Sequence, residues 1–260
     1  MSREHMLLAN MTQPDAEAAL KRGTAVLVTG SIEQHGGHLP LGTDAYAALT
    51  IALRVGERIE APVIPISTVG VAPYHLPWAG SLSLRPETLA ALMFDVCEGL
   101  ASAGVGRVIV VNWHEGNSTA IRLGAERVQG KLPMRVIVAE SHIITNSLFP
   151  DEMEFTHAGS METAAILAHD PSLARLDELV EGDSVDSGME GHALFRRRDV
   201  FPVMTDFREV AMTGWYGTPG SISEERAREI IDAVVDYIVS SVEEVWKSLG
   251  ERSPEGDESS

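Results

Sequence analysis

The chain has 260 residues, 44% of them hydrophobic, which fits one large globular domain with a sizeable core rather than a disordered polymer. A formal net charge of −18 excludes nucleic acid as a partner, because phosphate binding needs clustered Lys and Arg. No apolar run reaches membrane-spanning length, and the single cysteine, Cys97, excludes an internal disulfide; with no apolar leader after Met1, a reducing cytoplasm is the expected compartment.

A short helix is expected over 15–21, opening after Pro14. Residues 24–29 form an apolar run of the kind seen in a strand buried on both faces. A loop rich in glycine and ionisable side chains follows, and a helix over about 44–59. A second strand is expected over 63–68, weakened by Pro65. Residues 70–83 form a loop carrying Tyr74, His75 and Trp78. Pro86 opens a helix that runs to about 103, with Leu89, Leu92, Met93, Val96 and Leu100 on one face. Cys97 shares that apolar pattern and reads as packing.

A third strand covers 108–112. Residues 113–117 turn the chain into a helix over 118–129, and a fourth strand covers 135–139. Residues 140–154 are irregular in pattern. A helix is expected over 157–167, stopped by Asp170-Pro171. Residues 173–200 show no clear period and read as loops and short turns; within them Arg196-Arg197-Arg198, the one basic run, reads as a solvated face. A glycine-rich turn spans 214–220, and a long final helix runs over 222–249, closed by Gly250. A single domain is expected over 1–252, with a disordered acidic tail over 253–260. Strand and helix alternate through most of the chain, which implies a parallel sheet covered by helices on both faces, with ligands at the carboxyl ends of the strands.

The chemistry gathers at those strand ends. Glu33 and His35 are two apart, so in an extended segment they point the same way, and Pro40 and Gly42 punctuate a return that brings Asp44 toward them. His114 follows the third strand as directly as Glu33 follows the first. Glu162 lies five residues after His157, a spacing that does not share one helix face, so His157 is expected at or before the helix start. Taken singly, Asp44 reads equally as a helix cap, His157 as a capping or core histidine, and Glu162 as a surface residue. Together, Glu33, His35, Asp44, His114 and Glu162 offer three carboxylates and two imidazoles. That is too many for one tetrahedral zinc and suits a pair of divalent ions bridged by Asp44. Two metals about 3.5 Å apart share a hydroxide and lower its pKa toward neutrality. His157, close by without ligating, is placed to shuttle a proton to a leaving nitrogen. The reaction class is hydrolysis of an amide-like C–N bond in a small molecule, expected to be a non-peptide amide, cyclic amides included, rather than a peptide bond.

The segments that carry this chemistry resemble the motifs of the creatininase (creatinine amidohydrolase) family. Ser31-Ile32-Glu33-Gln34-His35-Gly36 through His38-Leu39-Pro40-Leu41-Gly42-Thr43-Asp44 resembles its metal-binding signature. Asn112-Trp113-His114-Glu115-Gly116-Asn117 resembles its Asn-Gly-His-Gly-Gly-Asn segment, and His157-Ala158-Gly159 with Glu162-Thr163 its third motif. Gly217-Thr218-Pro219 resembles a weaker fourth. The resemblance spans roughly residues 24–245. It implies a three-layer α/β/α sandwich around a mostly parallel sheet and two divalent metals per subunit, zinc first and manganese second. It also implies a small-molecule substrate and a hexamer built from dimers. Carried over by residue, Glu33 and His114 bind one metal, His35 and Glu162 the other, Asp44 bridges, and His157 is catalytic.

Two departures bear on substrate. Creatininase has a further glutamate ligand two residues after the histidine of the second motif, where this chain has Gly116; Glu115, one residue early, is not expected to replace it. Creatininase also covers creatinine with tryptophans near the third motif, and this chain has none between Trp113 and Trp215, so creatinine is not the expected substrate. Trp113 replaces a glycine and is expected to narrow the pocket. Tyr74, His75 and Trp78 either line its mouth or pack behind it, and Glu115 is a further pocket candidate. Two other readings stay open: hydrolysis of a C–C or ester bond in a cyclic polyol ketone or lactone, and a non-catalytic metal-dependent binding protein.

Overall fold

The computed structural model describes residues 3–180, 182–183, 185–197, 199–220 and 222–249. Gly250 and the 253–260 tail therefore lie outside the described residues, as does Arg198. The elements, in order, are α1 (Gln13–Leu20), β1 (Thr24–Thr29), α2 (Thr43–Ile59), β2 (Val63–Ser67), α3 (Pro86–Ser102), β3 (Arg107–Asn112), α4 (Ser118–Lys131), β4 (Arg135–Glu140), α5 (Ser141–Leu148), α6 (Ser160–His169), α7 (Val185–Phe195) and α8 (Glu224–Leu249), with short 3-10 turns between them.

The four strands form one sheet in the order β2-β1-β3-β4, every neighbouring pair parallel. Side chains alternate across β1 and β3. Val26, Val28, Ile109 and Val111 face a core shared with α2, α6 and α8. Ala25, Leu27, Val108 and Val110 face a second core shared with α3 and α4, in which Cys97 is buried. This is the three-layer α/β/α sandwich, and it explains why β1 and β3 read as uninterrupted apolar runs: both faces are covered.

The alignment of β1 with β3 positions the site. Thr29 pairs with Asn112, so the two strands end side by side and release the 30–42 loop and the 113–117 turn at the same edge. Gly30 lets the first of these chains leave tightly against the start of α2, where a Cβ would collide with the backbone of Asp44 and Ala45.

Two helices depart from the sequence reading. Residues 141–148 form α5 and 185–195 form α7, where irregular chain or loops were expected. In addition, α6 starts at Ser160 rather than at His157, which leaves His157 in a short bridge to Tyr216 ahead of the helix.

Candidate metal centre

Glu33, His35, Asp44, His114 and Glu162 converge beyond the carboxyl ends of β1 and β3. All five are buried, none more than 8% exposed. Asp44 does not cap α2: Gly42 holds that position, and Asp44 sits in the first turn with its carboxylate directed inward. Its two oxygens face different histidines. Oδ1 lies 3.5 Å from His35 Nε2, and Oδ2 lies 3.1 Å from His114 Nδ1. Glu33 Oε2 stands 3.2 Å from the same His114 nitrogen, and Glu162 Oε2 stands 3.6 Å from the same His35 nitrogen. The cluster therefore has two lobes, Glu33–His114–Asp44 and His35–Glu162–Asp44, joined through one carboxylate.

The outward nitrogens of both histidines are committed elsewhere. His35 Nδ1 lies 3.1 Å from the Glu33 carbonyl, and His114 Nε2 lies 3.1 Å from the Val71 carbonyl. A carbonyl only accepts, so those nitrogens carry the hydrogens and donate. The inward nitrogens then present lone pairs toward carboxylate oxygens. Acceptor facing acceptor is repulsive unless a positive charge stands between them. Glu33 Oε2, His35 Nε2 and Asp44 Oδ2 are buried with no hydrogen-bond partner among the described residues, as expected of ligand atoms.

The protonation pattern has the same cause. Burial opposes the charged form of His114, but Glu33 and Asp44 outweigh it and raise its pKa to about 9. His35 is also raised well above the ordinary histidine value, burial being outweighed by Glu162 and Asp44. Burial lifts Glu33 to about 7, against the pull of His114. Asp44, although buried, is held far below the carboxylate range by His35 and His114. Without metal, protons on the imidazoles supply the positive charge that the carboxylates demand.

His157 stands beside the cluster, its ring centroid 4.6 Å from that of His35. Its Nε2 donates to the Gln34 carbonyl at 2.8 Å, so Nδ1 is the acceptor. Burial, then His35, holds its pKa well below the ordinary value, so the ring is neutral. Sets of atoms close enough to hold an ion include Glu33–His35–Asp44, His35–His157–Glu162 and Glu33–His75–His157.

A cavity of about 350 Å³ opens from this floor. Tyr74, His75, Trp113 and Glu115 line it; Trp78 does not, and packs instead toward His75 and Phe207. Phe155, Phe195, Phe201, Pro202 and Val203 add apolar lining, beside the charged pair Arg196 and Glu115. Glu115 is turned away from the cluster and held by Arg196, whose Nη2 donates to Oε2 at 2.9 Å while Nη1 donates to the Phe155 carbonyl at 3.2 Å. The Arg196 guanidinium also lies 3.8 Å over the Phe155 ring. Arg196 is thus not part of a merely solvated basic face; its partner lies 81 positions away, out of reach of local pattern. A Cβ on Gly116 would run into the Val71 carbonyl, His114 and the Tyr74 hydroxyl, so no side chain fits there.

Sequence reasoning also missed Gln34 and His142. The Gln34 amide donates to His75 Nδ1 at 3.0 Å and to the Gly214 carbonyl, pinning the loop between Glu33 and His35. Its position between two candidate ligands was the only local signal. His142, on α5, lines the cavity, and neither of its ring nitrogens has a hydrogen-bond partner among the described residues.

A parallel α/β sandwich with a buried carboxylate–imidazole cluster at its strand ends defines a class of hydrolase. The family model described as creatinine amidohydrolase matches residues 9–242, and the chain belongs to the creatininase family. The creatinine amidohydrolase of Pseudomonas putida is 27% identical over 92% of this chain and 96% of its own length. The mycofactocin precursor peptide peptidase of Mycobacterium ulcerans (strain Agy99) is 28% identical over 82% of each chain. A crystal structure of creatinine amidohydrolase (creatininase) superimposes with a TM-score of 0.74 at 25% identity, covering 92% of this chain and 97% of that one. Among the described residues, no helix is long and apolar enough to cross a membrane.

Proposed function

We propose that this chain is a dinuclear metal-dependent amidohydrolase that cleaves the C–N bond of a small molecule. Glu33 and His114 hold one divalent cation, His35 and Glu162 the other, and Asp44 bridges them. Zinc is the first choice and manganese the second, and the assembly is a cytoplasmic homohexamer. The observation that carries the reading is Asp44, whose two oxygens face two imidazoles, each with its outer nitrogen bound to a backbone carbonyl. The donor set fits hard-to-borderline ions. When bound, such a pair acidifies water and polarises a carbonyl.

The protein supplies the rest. The Gln34 carbonyl fixes the His157 tautomer, so the neutral ring takes at Nδ1 a proton from the water that attacks the carbonyl carbon and delivers it to the nitrogen as the C–N bond breaks. Trp113 and Phe207, both 2% exposed, limit water on the cavity walls. Gly116 adds no carboxylate beside His114, so a cation held there would have Glu33, His114 and Asp44 as its protein ligands.

The test is removal and return. Chelation abolishes turnover of a panel of cyclic and linear amides, and zinc or manganese restores it, with oxygen from heavy-oxygen water appearing in the product carboxylate. Turnover that survives complete chelation contradicts the reading. The phenylalanines that line the cavity, Phe155, Phe195 and Phe201, favour a second substrate class, a linear amide flanked by apolar groups, such as the peptide bond that the mycobacterial relative's name specifies. Preference for the linear members of the panel would select it.

A further inference from the structure

His38 belongs to the first motif and lies outside the ligand cluster. It is 1% exposed, and its ring packs against Trp215 with centroids 4.7 Å apart. Its Nε2 lies 2.8 Å from the Ala158 carbonyl and donates to it; Nδ1 has no partner among the described residues.

Ala158 follows His157, and Gly159 separates it from the third motif's helix, which starts at Ser160. The φ of Ala158 is +57°, making it one of two left-handed non-glycine residues described. That conformation is strained for a residue with a Cβ and persists only where the surroundings fix it. The surroundings are specific. The Ala158 methyl is fully buried in a cluster with Leu39, Ile166 and Trp215. Tyr216 N–H donates to the preceding carbonyl, that of His157, at 3.1 Å. The Ala158 N–H donates to Glu162 Oε2, the oxygen that faces His35. One residue's two backbone groups therefore connect His38 to the carboxylate of Glu162, across about 120 positions of sequence.

We propose that His38 is a positioning residue: by holding Ala158 left-handed it aims that N–H at Glu162 and so sets the affinity of the His35–Glu162 lobe for its cation. The inference rests on the two-cation reading of the centre. The lobes respond differently, because Glu33 and His114 take their orientation from the 30–42 loop and the Val71 carbonyl rather than from Ala158. Removing the His38 donor weakens one cation of two.

The test is a Zn2+ titration of metal-stripped full-length protein against a competing chromophoric chelator, with folding followed by circular dichroism. His38→Leu removes the donor at similar volume. It is expected to retain one Zn2+ at wild-type affinity and to bind the second roughly 10–100-fold more weakly. His38→Gln places an amide donor near Nε2 and restores the second affinity. Ala158→Gly takes the left-handed conformation without the Cβ penalty, so added to His38→Leu it is expected to return part of the second affinity; His38→Phe, which keeps a ring against Trp215 but donates nothing, keeps the test decisive if His38→Leu does not fold. Two Zn2+ of unchanged affinity in the folded variants, equal weakening of both, or a Gln variant no better than Leu overturns this inference alone. Fewer than two Zn2+ in the wild type overturns the two-cation reading and this one with it.

Discussion

His114 Nδ1 faces Asp44 Oδ2 at 3.1 Å while its opposite nitrogen donates to the Val71 carbonyl. An imidazole fixed this way toward a buried carboxylate must carry either a proton or a metal on its inner nitrogen. The raised pKa values of His114, about 9, and of His35 say that the metal-free protein chooses the proton.

Cation loading at pH 8 should therefore release about two protons per chain. Calorimetric titration with zinc in buffers of different ionisation enthalpy counts them. The affinity should rise steadily from pH 6 to pH 9. Loading without proton release would mean that the inner nitrogens are already bare.

The same pair fixes one limb of the stability profile. A histidine whose folded pKa exceeds its unfolded value stabilises fully below about 6.5, and that stability is lost as pH rises through the folded value. The melting temperature of metal-free protein should fall between pH 6.5 and 9, and the loaded protein should not show this fall. The acid limb comes from the buried histidines that are neutral in the fold, His75 and His157 in the site and His142 and His192 beside it. Burial lowers His142 to about 4 and His192 to about 3. The unfolded chain takes up these protons near pH 6.5, so stability is lost as pH drops below that value, on the order of 2 kcal/mol for each residue at pH 5. His192→Phe should flatten part of this limb in a melting series from pH 7 to pH 5.

Gly116 is a steric requirement. A Cβ there meets the Val71 carbonyl, the atom that orients His114. Gly116→Ala is expected to cost about 1–3 kcal/mol in denaturant unfolding and to weaken the His114-side cation in the same protein. An alanine variant with unchanged stability would show that Val71 yields easily.

Arg196 and Glu115 form a forked pair at the cavity mouth, partly open to solvent. A double-mutant cycle with Arg196→Ala and Glu115→Ala should give a coupling of about 1 kcal/mol, reduced by salt. Cation content should be unchanged in all three variants, since neither residue faces the cluster.

Much of this fold was legible because burial leaves a pattern. β1 and β3 are covered on both faces and read as apolar runs, and α2, α3 and α8 show one apolar face each. The helix at 141–148 was not, because Ser-His-Ile-Ile-Thr-Asn-Ser-Leu is short and built of β-branched and polar residues of low helix propensity. The helix at 185–195 contains Gly188 and Gly191, which read as breakers. In the fold they are close-packing points, Gly188 against the Tyr216 ring and Gly191 against Val210, so tertiary contact overrides propensity. The convergence of Glu33, His35 and His114 followed from their places just past strand ends, and that of Asp44 from the return punctuated by Pro40 and Gly42. Gln34, His142 and Arg196 gain their settings from partners far along the chain, which no local window contains.

His157 lies beside the cluster, and its proposed task is proton transfer. His157→Ala should keep two cations and lose roughly 10²–10⁴ in kcat. Loss of a cation instead would make it a ligand.

The shared carboxylate is the most direct test of the two-cation centre. Equilibrium dialysis of metal-stripped protein against zinc, followed by elemental analysis, should find two ions per chain in the wild type, one in Glu162→Gln and at most one in Asp44→Asn. Two ions retained by Asp44→Asn, or a wild type that never exceeds one, would contradict the bridged centre.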